Sequence, residues 1–285
     1  PYTWGFELTP FLITAYFIIM MLFASWCFLK FSKDVAIGII LFSIFIYFGL
    51  TNMPWLPLIL IYGLIGFKIG GLKLSLTIVA SFLFITFTGV LPQALLSIYL
   101  CGIAVIISFI LGSSLGIWAA HNDKVSAFMR PINDTMQTMP SFVILIPFVM
   151  FFGIGEFTAL LAIIAYAFVP AMRYTEHGLR NLPETVIEAA RMIGCSQTQL
   201  LWKVKIPLAM PVIMLGLNQT IMFGLAMLVI AALVGTTGLG QLIYIGLSKA
   251  DFGTGMISGV SIALIAIIFD RTTQAWRIKL EKKTQ

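Results

Sequence analysis

Long apolar stretches separated by short polar turns make up most of this 285-residue chain, and the longest, residues 92–120, carries no Asp, Glu, Lys or Arg. Residues immersed in hydrocarbon find no water for their backbone N–H and C=O groups, so only helices or a closed barrel satisfy them. Continuous apolar runs, rather than apolar and polar residues in alternation, select helices. With 60% hydrophobic and 10% charged residues, the chain has more apolar surface than one water-soluble core buries. The expectation is an all-α polytopic membrane protein.

Nine transmembrane helices are expected, at residues 11–29, 35–50, 55–67, 74–90, 92–120, 137–152, 157–175, 208–233 and 254–270. The stretch 55–67 is short and interrupted by Pro57, Gly63 and Gly66, below the ~20 residues of an ordinary span. Charge argues for keeping it. With the N-terminus outside and every span in place, 16 of the 17 Lys and Arg fall on the cytoplasmic side and only Lys249 falls outside, as the positive-inside rule asks. Without that span, Lys30 and Lys33 move outside. Trp26 closes the first span as an interface anchor, and residues 11–29 lack a basic n-region and a cleavage motif, so they read as a retained span. The tail after Asp270 carries Arg271, Arg277, Lys279, Lys282 and Lys283 against Glu281 and is expected in the cytoplasm. The net charge of +6 therefore reports orientation. Basic residues border the spans and form no long solvated run of the kind that binds nucleic acid.

One polar segment stands out among these spans. From Pro183, suited to the first turn of a helix, Val186, Ala189, Ala190 and Ile193 follow at i, i+3, i+4 and i+7 and draw a single apolar stripe. Gly194 supplies a stop that tolerates the left-handed region, and Ser196 with Gln199 forms an S-x-x-Q capping box that starts a second helix. That helix runs through Leu200, Leu201 and Trp202 to Pro207, where the chain re-enters hydrocarbon. Taken alone, the segment fits either a docking element or an amphipathic helix lying on the headgroups.

The string Glu188-Ala189-Ala190, three residues, Gly194, nine residues, then Val204-x-Ile206-Pro207 resembles the EAA loop of the membrane subunits of binding-protein-dependent ABC importers. Val204 and Ile206 stand where that pattern usually has Ile and Leu. The resemblance covers roughly residues 92–278, with 1–53 matching more loosely, and the segments TMQTMPSFVILIPFVMFFGIGE, KIPLAMPVIMLGLNQT and GLGQLIYIGLSK resemble the glycine betaine/proline branch. It implies a type I ABC importer transmembrane domain of the bacterial inner membrane: accessory helices over 1–91, a permease core over 92–278 with the cytoplasmic coupling loop 183–207, and a basic tail over 279–285. The implied partners are two ATP-binding subunits, a second permease subunit forming a homodimer, and an extracytoplasmic substrate-binding protein. In that family the loop helix sits in a groove of the ATPase. Glu188 then makes polar contacts, Ala189 and Ala190 permit close approach, Gly194 sets the turn, and Val204, Ile206 and Pro207 complete the coupling set.

Other strings carry less. Gly112-Ser113-Ser114-Leu115-Gly116 matches a nucleophile elbow but lies inside a span, with no acid and His pair evident, and reads as a small-residue helix contact. His121 and His177 sit at span ends without a second ligand at metal spacing. Cys27, Cys101 and Cys195 are too scattered for a disulfide framework or a zinc site. No catalytic or metal set is expected. No G-x-x-x-x-G-K-[ST] string occurs, so no cofactor is expected on this chain and ATP with Mg belongs to the partner ATPase. The spans lack interior ionisable residues, which disfavours an ion-coupled secondary carrier or channel, and a membrane enzyme has no catalytic constellation to rest on.

For the solute, the resemblance implies glycine betaine or a related quaternary ammonium or proline-type osmolyte, whose aromatic cage belongs mainly to the binding protein. The alternative is an importer of methionine, phosphonate or a polar amino acid. Asn218, Gln219 and Thr220 form a polar cluster in the eighth span. Because an unpaired amide in hydrocarbon is costly, Asn218 and Gln219 are expected to face protein or a water-filled path. Interhelical hydrogen bonding and the lining of a translocation path, with Met222 and Met139 as adaptable neighbours, both satisfy that requirement.

Overall fold

The computed structural model describes the backbone of residues 55–284 and the side chains of residues 55–279. The expected spans at 11–29 and 35–50, with Trp26, Cys27, Lys30, Lys33 and Asp34, lie outside the described residues, as do the side chains of Glu281, Lys282 and Lys283. The chain divides into two units, Pro1–Ile61 and Tyr62–Gln285. Of the first, only the start of a helix is described. The account below concerns the second, whose described residues are helices and turns without strands.

Helix α1, Trp55–Phe87, is broken at Gly71, where φ is 75° and ψ −166°, a conformation that glycine reaches without a Cβ penalty. The chain folds back there. Ser75 Oγ donates to the Gly63 carbonyl at 2.8 Å across a sequence separation of 12, whereas a straight helix would part them by about 18 Å. The rings of Tyr62 and Phe82 stack at 5.2 Å. The two arms correspond to the third and fourth expected spans, with Lys68 and Lys73 flanking the turn.

Helices α2, Leu91–His121, and α5, Glu156–Arg180, form the closest pair. A Cβ at Gly112 would lie 2.6 Å from the Phe168 carbonyl oxygen, and one at Gly116 2.6 Å from that of Met172. The glycine string is thus a backbone contact between helices, as expected of small residues in membranes. Val105, Ile163, Leu225 and Ile265, from four different helices, share one core above it.

The sixth span differs from expectation. Residues 123–138 are an amphipathic helix, α3, Asp123–Thr138, and the apolar helix α4 runs only over Ser141–Phe152. The pair is bent by 103° at Met139, which is extended (φ −67°, ψ 134°) because the following Pro140 disfavours the helical region. Twelve residues of α4 rise about 18 Å, short of the ~30 Å hydrocarbon layer. Helix α3 lies along the polar end of α5: Ser126 Oγ donates to Glu176 at 2.6 Å, Arg180 pairs with Asp123 at 2.8 Å, and Arg173 binds both Asp134 and Gln137.

The eighth span is the longest continuous helix, α7, running without a break over Gln197–Val234 after the short helix α6, Glu184–Met192. The glycine-rich stretch then docks on α2. Leu239 N–H donates to Ser97 Oγ at 2.8 Å, and a Cβ on Gly238, whose φ is 133°, would fall 2.6 Å from that oxygen. A helix that periodicity did not announce follows, α8, Leu239–Ser248. The carboxylate of Asp251 accepts from the Thr254 N–H and hydroxyl; the Thr254 hydroxyl holds the Asp251 carboxyl below its ordinary value. Helix α9, Phe252–Thr284, passes Asp270 without stopping, so the expected end of the ninth span is a point inside a longer helix. By length and composition five described helices can cross a membrane, or six with the bent pair; the fold-back at Gly71 makes α1 two arms.

Candidate functional site

The loop between α5 and α7 is a helix-turn-helix capped at its turn. Pro183 (φ −58°, ψ 123°) stands just outside α6 as its N-cap rather than within the first turn. At the other end Gly194 N–H donates to the Arg191 carbonyl at 2.9 Å and Cys195 N–H to the Ala190 carbonyl at 3.2 Å. These two bonds constitute a Schellman ending, with Gly194 at φ +86°. The capping box forms as read: Gln199 N–H donates to Ser196 Oγ at 3.3 Å, and Ser196 N–H to Gln199 Oε1 at 3.0 Å.

Side chains divide between holding the loop and presenting it. Ala190 and Leu200 are buried, at 8% and 1% exposure, so of the two adjacent alanines only Ala189 lies on the open face. Val186, Glu188, Met192, Ile193 and Trp202 are exposed, Ile193 to 84%. Glu188 has no hydrogen-bond or ion-pair partner among the described residues. The surface mixes these apolar side chains with the exposed charges of Glu184, Glu188, Arg191 and Lys203.

At its base the loop is fixed to the membrane helices. Leu182 and Ile206 pack on Leu179, Ala209 and Ile213, and a Cβ on Gly178 would sit 3.1 Å from Val212. Arg180 ties the same end to α2 through the Ala119 carbonyl at 2.7 Å and to Glu176 at 3.0 Å. Val204 is half-buried and Pro207 exposed. Residues Leu200–Lys205 adopt π-helical pairing, with Ile206 N–H donating to the Leu201 carbonyl. Pro207 and Pro211 have no N–H to give, and the widened turn lets the helix absorb them without breaking. From Gln197 the loop thus runs into α7 as one uninterrupted helix.

The candidate path residues do not share one environment. Asn218 Nδ2 donates to Asp270 Oδ1 at 2.8 Å, while Thr273 Oγ1 donates to Asn218 Oδ1 at 2.8 Å. Gln274 Nε2 adds bonds to both Asp270 oxygens. The Asn218 amide is thus engaged between α7 and α9. Gln219 is half-buried without a hydrogen bond among the described residues, and Met222 is 39% exposed. Leu215, Gln219, Met222 and Ala226 follow at helical spacing along one face of α7. Met139 lies elsewhere, at the α3–α4 bend. Sequence spacing could not reveal the Asp270 network or the α3 ion pairs, because their partners are 39 to 57 residues apart. Among the described residues no group of His, Cys, Asp and Glu can hold a metal.

Comparison with known proteins adds family evidence. Residues 112–276 match the family described as binding-protein-dependent transport system inner membrane component. The chain is 40% identical over 226 residues to the glycine betaine/proline betaine transport system permease protein ProW of Escherichia coli, covering 79% of this chain and 64% of ProW. It is 36% identical over 266 residues to the glycine betaine transport system permease protein OpuAB of Bacillus subtilis, covering 92% and 94%. The chain thus spans under two thirds of the first relative's length and nearly all of the second's. Among solved structures, the inward-facing MetNI methionine ABC transporter superposes with a TM-score of 0.56 at 20% identity, over 67% of this chain and 94% of that one. At that identity the likeness is one of fold.

Proposed function

Because the chain belongs to the binding-protein-dependent transport system inner membrane component family, we propose that it is the membrane subunit of an ATP-driven importer of glycine betaine or a related quaternary ammonium or proline-type osmolyte. The observation that carries the reading is the loop itself: a capped helix-turn-helix that exposes Met192, Ile193 and Trp202 beside Glu188, unpartnered among the described residues, and is continuous with a span. The names of the relatives, ProW and OpuAB, support the solute class.

In this reading the chain folds as a type I importer transmembrane domain in the inner membrane, with its N-terminus outside and C-terminus in the cytoplasm. Residues 1–91 are accessory helices, 92–278 the core and 279–285 the tail. Two copies stand side by side over two ATPase subunits, which hold ATP and Mg, and a loaded binding protein docks outside. Glu188, Ala189, Gly194 and the exposed apolar residues enter the ATPase groove; Ala190, Val204, Ile206 and Pro207 fix the loop to its span. Closure of the ATPases pushes the loop, and α7 follows. Two arrangements, open to either side, are biased by nucleotide and by the loaded binding protein. Gln219 and Met222 line the path on the open face of α7, with Met139 at the α3–α4 bend and Asn218 holding α7 to α9.

Ligand screening of the cognate binding protein by calorimetry tests the solute. Tight binding of glycine betaine is expected; binding of methionine in its place contradicts the assignment.

A further inference from the structure

The fold-back of α1 and the inner face of α9 enclose an apolar cleft of about 90 Å³, lined by Tyr62, Ile65, Ile78, Phe82, Ile268 and Phe269, with Thr272 at one end. The Thr272 hydroxyl is already spent on the Ile268 carbonyl, so the cleft presents hydrocarbon and ring faces. It has room for a segment of an acyl chain and no polar group to hold a solute. Gly70 and Ala275 approach closely just beyond it: a Cβ on Gly70 would lie 3.3 Å from Ala275 Cβ.

Lysines stand on both sides of this contact in the sequence, Lys68 and Lys73 about Gly70 and Lys279 four residues after Ala275. Ile65 leads to Lys68 within one helical turn, and Thr272 to Lys279 within two, about 5 and 10 Å of rise. Lys279 Nζ donates to the Lys68 carbonyl at 2.5 Å, so both residues stand at the same end of the cleft, with Lys73 across the Gly71 turn. All three are exposed. Helix α1 contains no acid, and no ion pair among the described residues involves these lysines. The carboxylate of Asp270 on α9 is occupied by Asn218 and Gln274. Trp276, half exposed, marks this level as the membrane interface. The positive-inside rule accounts for lysines on this side, but not for three of them unpaired with any acid among the described residues beside an apolar cleft that fits a segment of an acyl chain.

We propose that this cleft and its basic rim bind an anionic phospholipid, one acyl chain lying along Ile78, Ile268 and Phe269 and the phosphate-bearing headgroup gathered by Lys68, Lys73 and Lys279. Hydrocarbon walls give no preference for one lipid tail over another, since bilayer tails are equally apolar. Selectivity comes from the headgroup charge, as in basic pockets between membrane helices. The site is separate from the coupling loop and independent of which solute is carried.

The test is lipid retention by the full chain, purified in detergent, stripped of lipid and incubated with dioleoyl phosphatidylglycerol or dioleoyl phosphatidylcholine at equal ratios, then read by native mass spectrometry. Phosphatidylglycerol is expected to be retained at least tenfold over phosphatidylcholine. Each Lys→Gln change at 68, 73 or 279 lowers that retention about fivefold, and the triple Lys→Arg variant keeps it. Thr272→Phe, which fills the cleft, lowers retention with the lysines intact, and the exposed lysine variants decide the matter even if that core change disturbs folding. Excess inorganic phosphate does not displace the lipid. Equal retention of the two lipids, full retention in the triple Gln variant, or displacement by phosphate alone would overturn the site.

Discussion

At Gly194 the space for a side chain is open: a Cβ would meet nothing within 4 Å, yet φ is +86°. Any cost of substitution is therefore conformational, about 1–2 kcal/mol for an L-residue in the left-handed region and more for a β-branched one. Gly194→Val should leave the protein in the membrane while it loses the co-purifying ATPase, and Gly194→Ala should fall between. Normal ATPase recovery and transport with Val would refute the docking role. This residue was legible in sequence because its signals are local: an apolar stripe, a glycine, then S-x-x-Q. Asn218 was half legible. Its amide had to be satisfied, but the partner, Asp270, lies 52 residues on, beyond any periodicity. The two neighbouring amides should now behave differently. Asn218→Leu strips Asp270 of a donor and should lower stability by about 1–3 kcal/mol, measured by thermal unfolding in detergent. Gln219→Leu breaks no hydrogen bond among the described residues and should leave the melt unchanged while cutting uptake tenfold or more. Parental uptake in Gln219→Leu would remove it from the path.

At the scale of elements, α7 links two functions that the sequence set apart. Pro207 looked like a joint between a surface helix and a span; the π-helical turn at Leu200–Lys205 makes it part of one continuous helix of 38 residues. A lever needs that continuity. Insertion of Gly-Gly after Lys205 should keep the ATPase bound, because α6 and the Gly194 turn are untouched, and should abolish transport; coupled transport in the insertion variant would contradict the lever. The α3–α4 bend shows the opposite limit of reading. The sixth span was expected to run through Met139-Pro140 over 137–152, and it is the bend there, with the ion pairs of Asp123 and Asp134 and the Ser126 hydrogen bond to α5, that sets α3 apart as a separate amphipathic helix. Helix α8 was hidden for the related reason that its ten residues, which include Gly240, Gln241, Gly246 and Ser248, follow a glycine cluster and carry no cap signal.

The described helices of the second unit have two ends. Arg180, the Gly71 turn with Lys68 and Lys73, and the loop belong to one; Gly153–Glu156 and the glycine-rich stretch belong to the other, joined where the Thr237 hydroxyl binds Glu156. In the proposed orientation the first end faces the cytoplasm, and a cysteine-free background tests it: single cysteines at Thr198 and Thr237 should label from opposite faces, with Thr237 open to an impermeant external reagent. External labelling of Thr198 in intact cells would reverse the orientation and with it the site of ATPase docking. The central claim is coupled import, and uptake of labelled glycine betaine into proteoliposomes tests it most directly. The vesicles would hold the full chain with its ATPase, the binding protein outside and ATP within. The account predicts uptake that requires ATP and binding protein and is lost in Gly194→Val; uptake driven by an ion gradient without ATP, or unaffected by Gly194→Val, would contradict it.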